Sequence, residues 1–209
     1  MISGLICAAG LGKRLGAPKP LLPHEHATML QIVLDRYRPA DLKEIIVVLG
    51  HDARRIVGEI RLDGLKVVIN SRPSQGLSSS IQRGLAYLSP GVRGVMIGMG
   101  DMPLVATATI NTLIDEFRTA QKGIVAPKYK KQRGHPVIID LKYLDELLAL
   151  RGDVGAKSIL AAHDDDVHDV PIDSDEVVTD VDTSEQWEHV RIRLPLPPPV
   201  EADEISSDE

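Results

Sequence analysis

Four short apolar runs rich in β-branched residues, Leu5 to Ala8, Ile45 to Leu49, Lys66 to Ile69 and Val95 to Ile97, are separated by stretches with helical periodicity. Runs this short read as buried strands, because a helix needs a longer stretch to present a complete face. Strands alternating with helices require crossover connections, which are right-handed and leave helices on both faces of a sheet. The pattern predicts an α/β fold: a Rossmann-like three-layer α/β/α sandwich with a mostly parallel sheet. At 209 residues and 43% apolar content the chain can fill one sizeable core, and two full domains would be cramped.

The clearest helix begins near Leu77. Leu77, Ile81, Leu85 and Leu88 make one apolar stripe, with a serine-rich start as the expected cap and Ser89-Pro90-Gly91 as the stop. A further helix is expected from about Thr107 to Ala120, then a strand Ile124 to Ala126, a polar basic turn Lys128 to Arg133 and a strand Pro136 to Ile139. The close return suggests a hairpin, so part of the sheet is expected to run antiparallel. From Leu194 the composition changes to prolines and then to acidic and serine residues, which predicts one folded unit over residues 1–193 and a disordered tail over 194–209.

The net charge of −6 argues against a general binder of nucleic acid, although a local basic cluster can still receive an anionic small molecule. A single cysteine, Cys7, cannot form an intrachain disulfide. The apolar stretch Ile2 to Ala9 is too short to span a membrane, and Lys13 and Arg14 follow it, whereas an export signal carries its charge first. The expected location is therefore cytoplasmic, with no membrane partner.

After the first strand comes Ala8-Ala9-Gly10-Leu11-Gly12-Lys13-Arg14-Leu15-Gly16, then Pro18-Lys19-Pro20. Glycines let backbone amides approach an anion closely, and Lys19 between two prolines holds a cation in a defined direction. Neither a dinucleotide fingerprint nor a Walker A motif fits: the glycines are spaced G-x-G-x-x-x-G, the second strand ends Leu49-Gly50-His51 without an acidic residue, and no Gly-Lys-Ser or Gly-Lys-Thr follows. The plainer alternative is a glycine turn with solvated cations.

Asp101 follows an apolar strand and precedes Met102-Pro103, at the strand end where open α/β sheets bind ligands; as an oxygen donor it suits Mg²⁺. The alternative is a simple turn, with Asp101 bonding its own backbone. Asp182 is either a second metal ligand or a helix cap before Thr183-Ser184-Glu185. Ser78, Ser79 and Ser80, with Gly76, are candidates for nucleotide contact at a helix start, since three serines exceed what one cap needs. His163 and His168 flank Asp164-Asp165-Asp166 in an order better suited to a solvated acidic loop than to a metal centre.

The run Leu5 to Pro23 resembles the signature L-A-A-G-x-[SG]-x-R-M-G-x-x-K-x-L-L-P of nucleotidyltransferases, and in particular the molybdenum cofactor cytidylyltransferases. Cys7 and Leu15 replace the usual leucine and methionine and keep Gly10, Arg14, Gly16 and Lys19 in register. Further matches are Val48 to His51, Gln75 to Ser80, Gly100 to Pro103, Arg133 to Val137, Gly152 to Ala156 and Asp180 to Thr183, so that only the tail falls outside. The resemblance implies a nucleotide-diphospho-sugar transferase-like fold and transfer of CMP from CTP to the phosphate of molybdopterin, with Mg²⁺.

Under that resemblance Arg14, Lys19 and Asp101 are catalytic. Ala8, Ala9, Gly10, Gly12, Gly76 and Ser78 to Ser80 join them in binding nucleotide. Gly134, His135, Pro136, Gly152 and Asp153 line the acceptor pocket, and Asp101 and Asp182 hold the metal. His135 has a second reading as a turn residue between hairpin strands. Related guanylyltransferases read L-A-G-G, so Ala8-Ala9-Gly10 favours CTP over GTP, the Ala9 methyl crowding a purine more than a pyrimidine. A guanylyltransferase of the same cofactor, a sugar-phosphate or isoprenoid nucleotidyltransferase, and a non-catalytic carrier serving a recipient molybdoenzyme stand as alternatives.

Overall fold

The computed structural model describes residues 1–10 and 18–195. In chain order its elements are β1 (Ile2–Ala8), β2 (Pro23–His24), β3 (Ala27–Thr28), α1 (Met29–Tyr37), β4 (Ile45–Leu49), α2 (Ala53–Glu59), β5 (Lys66–Ile69), α3 (Leu77–Leu85), β6 (Gly94–Met99), α4 (Thr107–Thr119), β7 (Ile124–Tyr129), β8 (Gln132–Arg133), β9 (Val137–Asp140), α5 (Leu144–Ala149), α6 (Lys157–Ala162), β10 (Val167–Pro171) and α7 (Ser184–Arg191).

The main sheet runs β10-β7-β9-β6-β1-β4-β5, with β8 attached to β7. The pairs β1/β4, β1/β6, β4/β5 and β7/β10 are parallel, while β9 lies antiparallel between β6 and β7. This matches the expected sheet, mostly parallel with an antiparallel part. Alternation along the strands divides the core: Ile2, Ile6 and Ala8 of β1 pack with α1, α2 and α4, whereas Leu5 and Cys7 pack with α3, α5 and α6. Helices therefore cover both faces, which makes the three-layer sandwich. A third cluster joins Leu22 and Met29 to Val181, Trp187 and Val190, fastening α7 beside the segment that carries Lys19.

Three sequence expectations are corrected. Leu194 is buried in that third cluster and the Pro195 carbonyl lies 3.4 Å from His24 Nε2, so the folded unit extends past the expected boundary at residue 193; the rest of the expected tail lies outside the described residues. The basic turn expected over Lys128 to Arg133 is largely strand: β7 continues to Tyr129 and pairs with β8, leaving Lys130 and Lys131 as the turn, with Lys130 at φ 53°. The helix α3 has no side-chain cap from its serines. Gly76 is the cap residue, and the first helical N–H groups donate instead to the Gly152–Asp153 loop: Leu77 N–H to Asp153 Oδ1 at 3.2 Å and Ser78 N–H to the Gly152 carbonyl at 3.1 Å.

Topology positions the site. From β1 the chain moves outward through β4 to β5, then returns to β6 on the other side of β1. The crossovers above β1 thus diverge, opening a crevice at the carboxyl ends of β1 and β6, where ligands bind in open α/β sheets.

Candidate active site

Two cavities meet at the carboxyl ends of β1 and β6. The first, of about 300 Å³, is lined by Cys7 to Gly10, Lys19, Gly76, Leu77, Ser80, Met99, Gly100, Asp101 and Asp153, among others. The second, of about 950 Å³, takes in Met99, Asp101, Met102, Lys128, Lys131, Arg133, Gly134, His135, Lys157 and Asp180, among others. Met99 and Asp101 belong to both. A molecule in one cavity therefore faces a molecule in the other across the Asp101 carboxylate.

Lys19 is held by a short 3-10 turn, Lys19–Leu21, entered from Pro18 and containing Pro20, which fixes the backbone that carries the cation. Its ammonium donates to Asp101 Oδ2 at 2.6 Å and to Asp182 Oδ1 at 2.8 Å, with only 9% of the residue exposed. Burial alone would lower the Lys19 pKa, but the two carboxylates overcome it and hold the group above its ordinary value, so it stays charged at neutral pH. Burial pushes Asp101 upward; Lys19 pulls it back down, and Asp180 and Asp182 reinforce the rise. The backbone explains why Asp182 comes so near, since Val181 N–H donates to the Asp101 carbonyl at 3.0 Å. Asp182 is not the cap of α7. That position belongs to Thr183, which forms a reciprocal capping box with Gln186.

The fit to a divalent cation can be read from the donors. Asp101 Oδ1 is buried and makes no hydrogen bond among the described residues, although a stranded buried acceptor costs about 1–3 kcal/mol. Among the described residues no group of three or more His, Cys, Asp or Glu side chains converges. Asp101 and Asp182 would then supply one or two hard oxygens, which suits Mg²⁺ or Mn²⁺ drawing the rest of their shell from phosphates and water. His163, His168 and the acidic run are drawn into separate pairs: His163 with Glu146, His168 with Glu116, Asp164 with Arg133 and Asp166 with Lys142.

Of the nucleotide-site residues expected from the sequence, Ala8, Ala9, Gly10, Lys19, Gly76, Ser80 and Asp101 line the first cavity. Gly12 and Arg14 lie outside the described residues. Ser78 is buried and does not line the cavity, and the Ser79 hydroxyl is engaged in the helix start, donating to the Gly76 carbonyl at 2.8 Å. Gly76 has φ 88°, and a Cβ there would stand 2.4 Å from the Gly152 carbonyl carbon, so only glycine fits against that loop.

The expected acceptor set divides. Gly134 and His135 line the second cavity. Pro136, joined to His135 by a cis peptide bond, is buried behind them. Gly152 and Asp153 instead brace α3, and Asp153 opens on the first cavity, so the expected pairing with Gly134 is corrected. The His135 ring is no loose turn side chain: burial lowers its pKa, and Nδ1 is buried without a partner among the described residues. Sequence reasoning missed the cations of this cavity, Lys128, Lys131, Arg133 and Lys157. Lys128 and Arg133 both grip Asp169, at 2.6 and 2.5 Å. The signal was present as a basic run, but only the β7–β8 pairing turns it toward the site.

This arrangement has clear relatives. A nicotine blue oxidoreductase from Paenarthrobacter nicotinovorans is 28% identical over 193 residues, 88% of this chain and 94% of its own length. The crystal structure of Rv0371c from Mycobacterium tuberculosis H37Rv superposes with a TM-score of 0.83 at 31% identity, over 91% of this chain and 97% of that one, and the same protein is also known in complex with manganese. Molybdopterin-guanine dinucleotide biosynthesis protein A from Archaeoglobus fulgidus, at 16% identity and a TM-score of 0.67 over 92% and 98% of the two chains, shares the fold. Residues 4–167, from β1 through β6 and Asp101 to the start of β10, match the MobA-like NTP transferase domain, and the chain belongs to that family of nucleotidyltransferases.

Proposed function

We propose that the chain transfers CMP from CTP to the phosphate of a molybdopterin-type acceptor in the cytoplasm, releasing pyrophosphate, with Mg²⁺ as the metal. The observation that carries this reading is the sharing of Asp101 between a narrow glycine-lined cavity and a wider one lined by both cations and carboxylates, in which Lys131 and Lys157 stand beside the paired Lys128 and Arg133. A nucleoside triphosphate fits the first and a phosphorylated acceptor the second, so the acceptor phosphate can approach the α-phosphorus in line. An ionised phosphate needs no general base, and catalysis consists of bringing two anions together and stabilising the charge that passes to pyrophosphate.

Asp101 and Asp182 would hold the metal, which when bound neutralises phosphate charge. Lys19, with Arg14 from the glycine turn, meets the phosphates as a fixed cation. Gly134 and His135, with Lys131 and Lys157, receive the acceptor. Preference for CTP over GTP rests on the Ala9 methyl and on the small first cavity. A recipient molybdoenzyme would take the product.

The test is a pyrophosphate-release assay with molybdopterin and each of the four nucleoside triphosphates. Release with CTP well above the other three is expected; no release with any of them contradicts the proposal. The P. nicotinovorans relative favours a second reading, since its name denotes an oxidoreductase. Redox turnover of nicotine blue by the purified protein would support that reading, and release of pyrophosphate without such turnover would dismiss it.

A further inference from the structure

Asn70 stands just past the end of β5, and its own N–H donates to the Leu49 carbonyl at 2.8 Å, extending the ladder by one residue. It is 5% exposed, and its side chain turns toward the start of α3. The orientation of the amide is fixed chemically. Arg72 N–H, which can only donate, lies 2.9 Å from Oδ1, so Nδ2 faces the serines. From there it donates to Ser79 Oγ at 2.8 Å and to Ser80 Oγ at 3.0 Å.

The two serines differ in what remains. Ser79 passes its own proton to the Gly76 carbonyl, completing a local turn. Ser80 accepts from Asn70 and has no other hydrogen bond among the described residues, while lining the first cavity. Asn70 takes one of its two lone pairs and, as a donor, cannot receive its proton, which is left for whatever the cavity holds. A buried hydroxyl held in this sense favours a ligand acceptor, because only an acceptor in the cavity gives its proton a partner.

We infer that Asn70 is a positioning residue for the nucleotide cavity, locking the Ser80 hydroxyl as a donor toward an acceptor atom of the bound nucleotide. The inference rests on the nucleotide reading of the first cavity and adds a residue that touches no substrate itself. Ser80 is the contact; Asn70 sets its direction.

The experiment is a double-mutant cycle read by calorimetric titration of CTP with Mg²⁺. Asn70→Leu keeps the size and the neutral charge but removes the donor, leaving the Ser80 proton free to turn from the cavity. It should weaken CTP binding by up to about tenfold, as loss of a well-made hydrogen bond does. Ser80→Ala should weaken binding to a similar degree, and adding Asn70→Leu to Ser80→Ala should cost nothing further. In turnover the loss should appear in KM for CTP with kcat nearly unchanged. An equal loss from Asn70→Leu with and without Ser80 overturns the inference, as does no loss at all. Should Asn70→Leu fail to fold, Ser80→Ala decides alone, and unchanged CTP affinity in that variant refutes the donor role. Wild-type protein that binds no nucleoside triphosphate would instead sink the nucleotide reading, a result distinct from the others.

Discussion

The two cavities that share Asp101 are made of different material. The first is lined in part by small residues that expose main chain, Ala8, Ala9, Gly10, Gly76 and Gly100, at the ends of β1 and β6 and before α3. The second is walled by long side chains on β7, β8 and α6, with Lys128, Lys131, Arg133 and Lys157 set against Asp164, Asp169 and Asp180. Main-chain walls suit a ligand portion common to many substrates, such as a triphosphate, because their shape is fixed by the fold. Side-chain walls can be altered residue by residue without disturbing the sheet. Under the proposed function, the comparison assigns nucleotide handling to the fold and would assign the choice of acceptor to the hairpin β7–β8 and the helix α6.

The largest effect is expected where the two halves join. Asp101→Asn keeps the size and removes the charge, and pyrophosphate release should fall by about 10³-fold. A variant with near wild-type release would detach Asp101 from the chemistry and leave the two cavities without a common role.

Next in size is a test of the main-chain wall. Gly76→Ala must push a methyl into the Gly152–Asp153 loop, and a loss of about 2–3 kcal/mol of stability is expected from chemical denaturation. Gly152→Ala meets open space but carries φ 70°, so the backbone strain alone should cost about 1 kcal/mol. Equal losses in the two variants would mean that close packing at Gly76 does not shape the first cavity.

The side-chain wall should respond differently. Lys131→Ala and Lys157→Ala should each raise KM for the acceptor by about three- to tenfold while leaving calorimetric CTP affinity unchanged. If CTP affinity falls with the acceptor KM, the division between the halves is wrong.

The smallest effect concerns the frame at the amino ends of the strands, at the opposite edge of the sheet from the first cavity. Glu44 accepts from Ser3 Oγ, Ser89 N–H and Ser89 Oγ and pairs with Lys66, linking β1, β5 and the segment after α3. Burial opposes its ionisation, yet Lys66 and the three donors bring its pKa down to about 2. A depressed carboxylate stabilises the fold above its ordinary pKa, and that contribution disappears as pH falls from about 4.5 through about 2. Glu44→Gln should therefore cost about 1–2 kcal/mol at pH 7 and progressively less toward pH 2, as read from urea midpoints at several pH values. A cost that stays constant with pH would assign the effect to packing.

How legible each half was follows from the same contrast. Strand periodicity reveals β1, β4 and β6 because each is a nearly continuous buried run, and β5 because it is a short β-branched run, although at the sheet edge only its Val68 is buried; that is enough to locate the crevice above β1. Gly10 and Asp101 sit just past strand ends, so adjacency in sequence announces them. Lys131 and Lys157 carry no such mark. They reach the site only through a strand pairing and a helix placement that join residues far apart in the chain. The resemblance assigns Asp153 to the acceptor pocket, and Asn70 escapes notice, for a related reason: the hydrogen bond from Leu77 N–H to Asp153 spans 76 positions, and Asn70 works through a neighbour's hydroxyl. The cap expected from serines failed because a distant loop supplied the acceptors first.

The central claim is that Asp101 and Lys19 serve one metal-bound nucleotide, and it is tested most directly by titrating CTP into the wild-type protein and Asp101→Asn, each with and without Mg²⁺. Binding to the wild type should tighten markedly when the metal is present, and in Asp101→Asn the metal should make little difference. An equal gain from Mg²⁺ in both proteins would contradict the account.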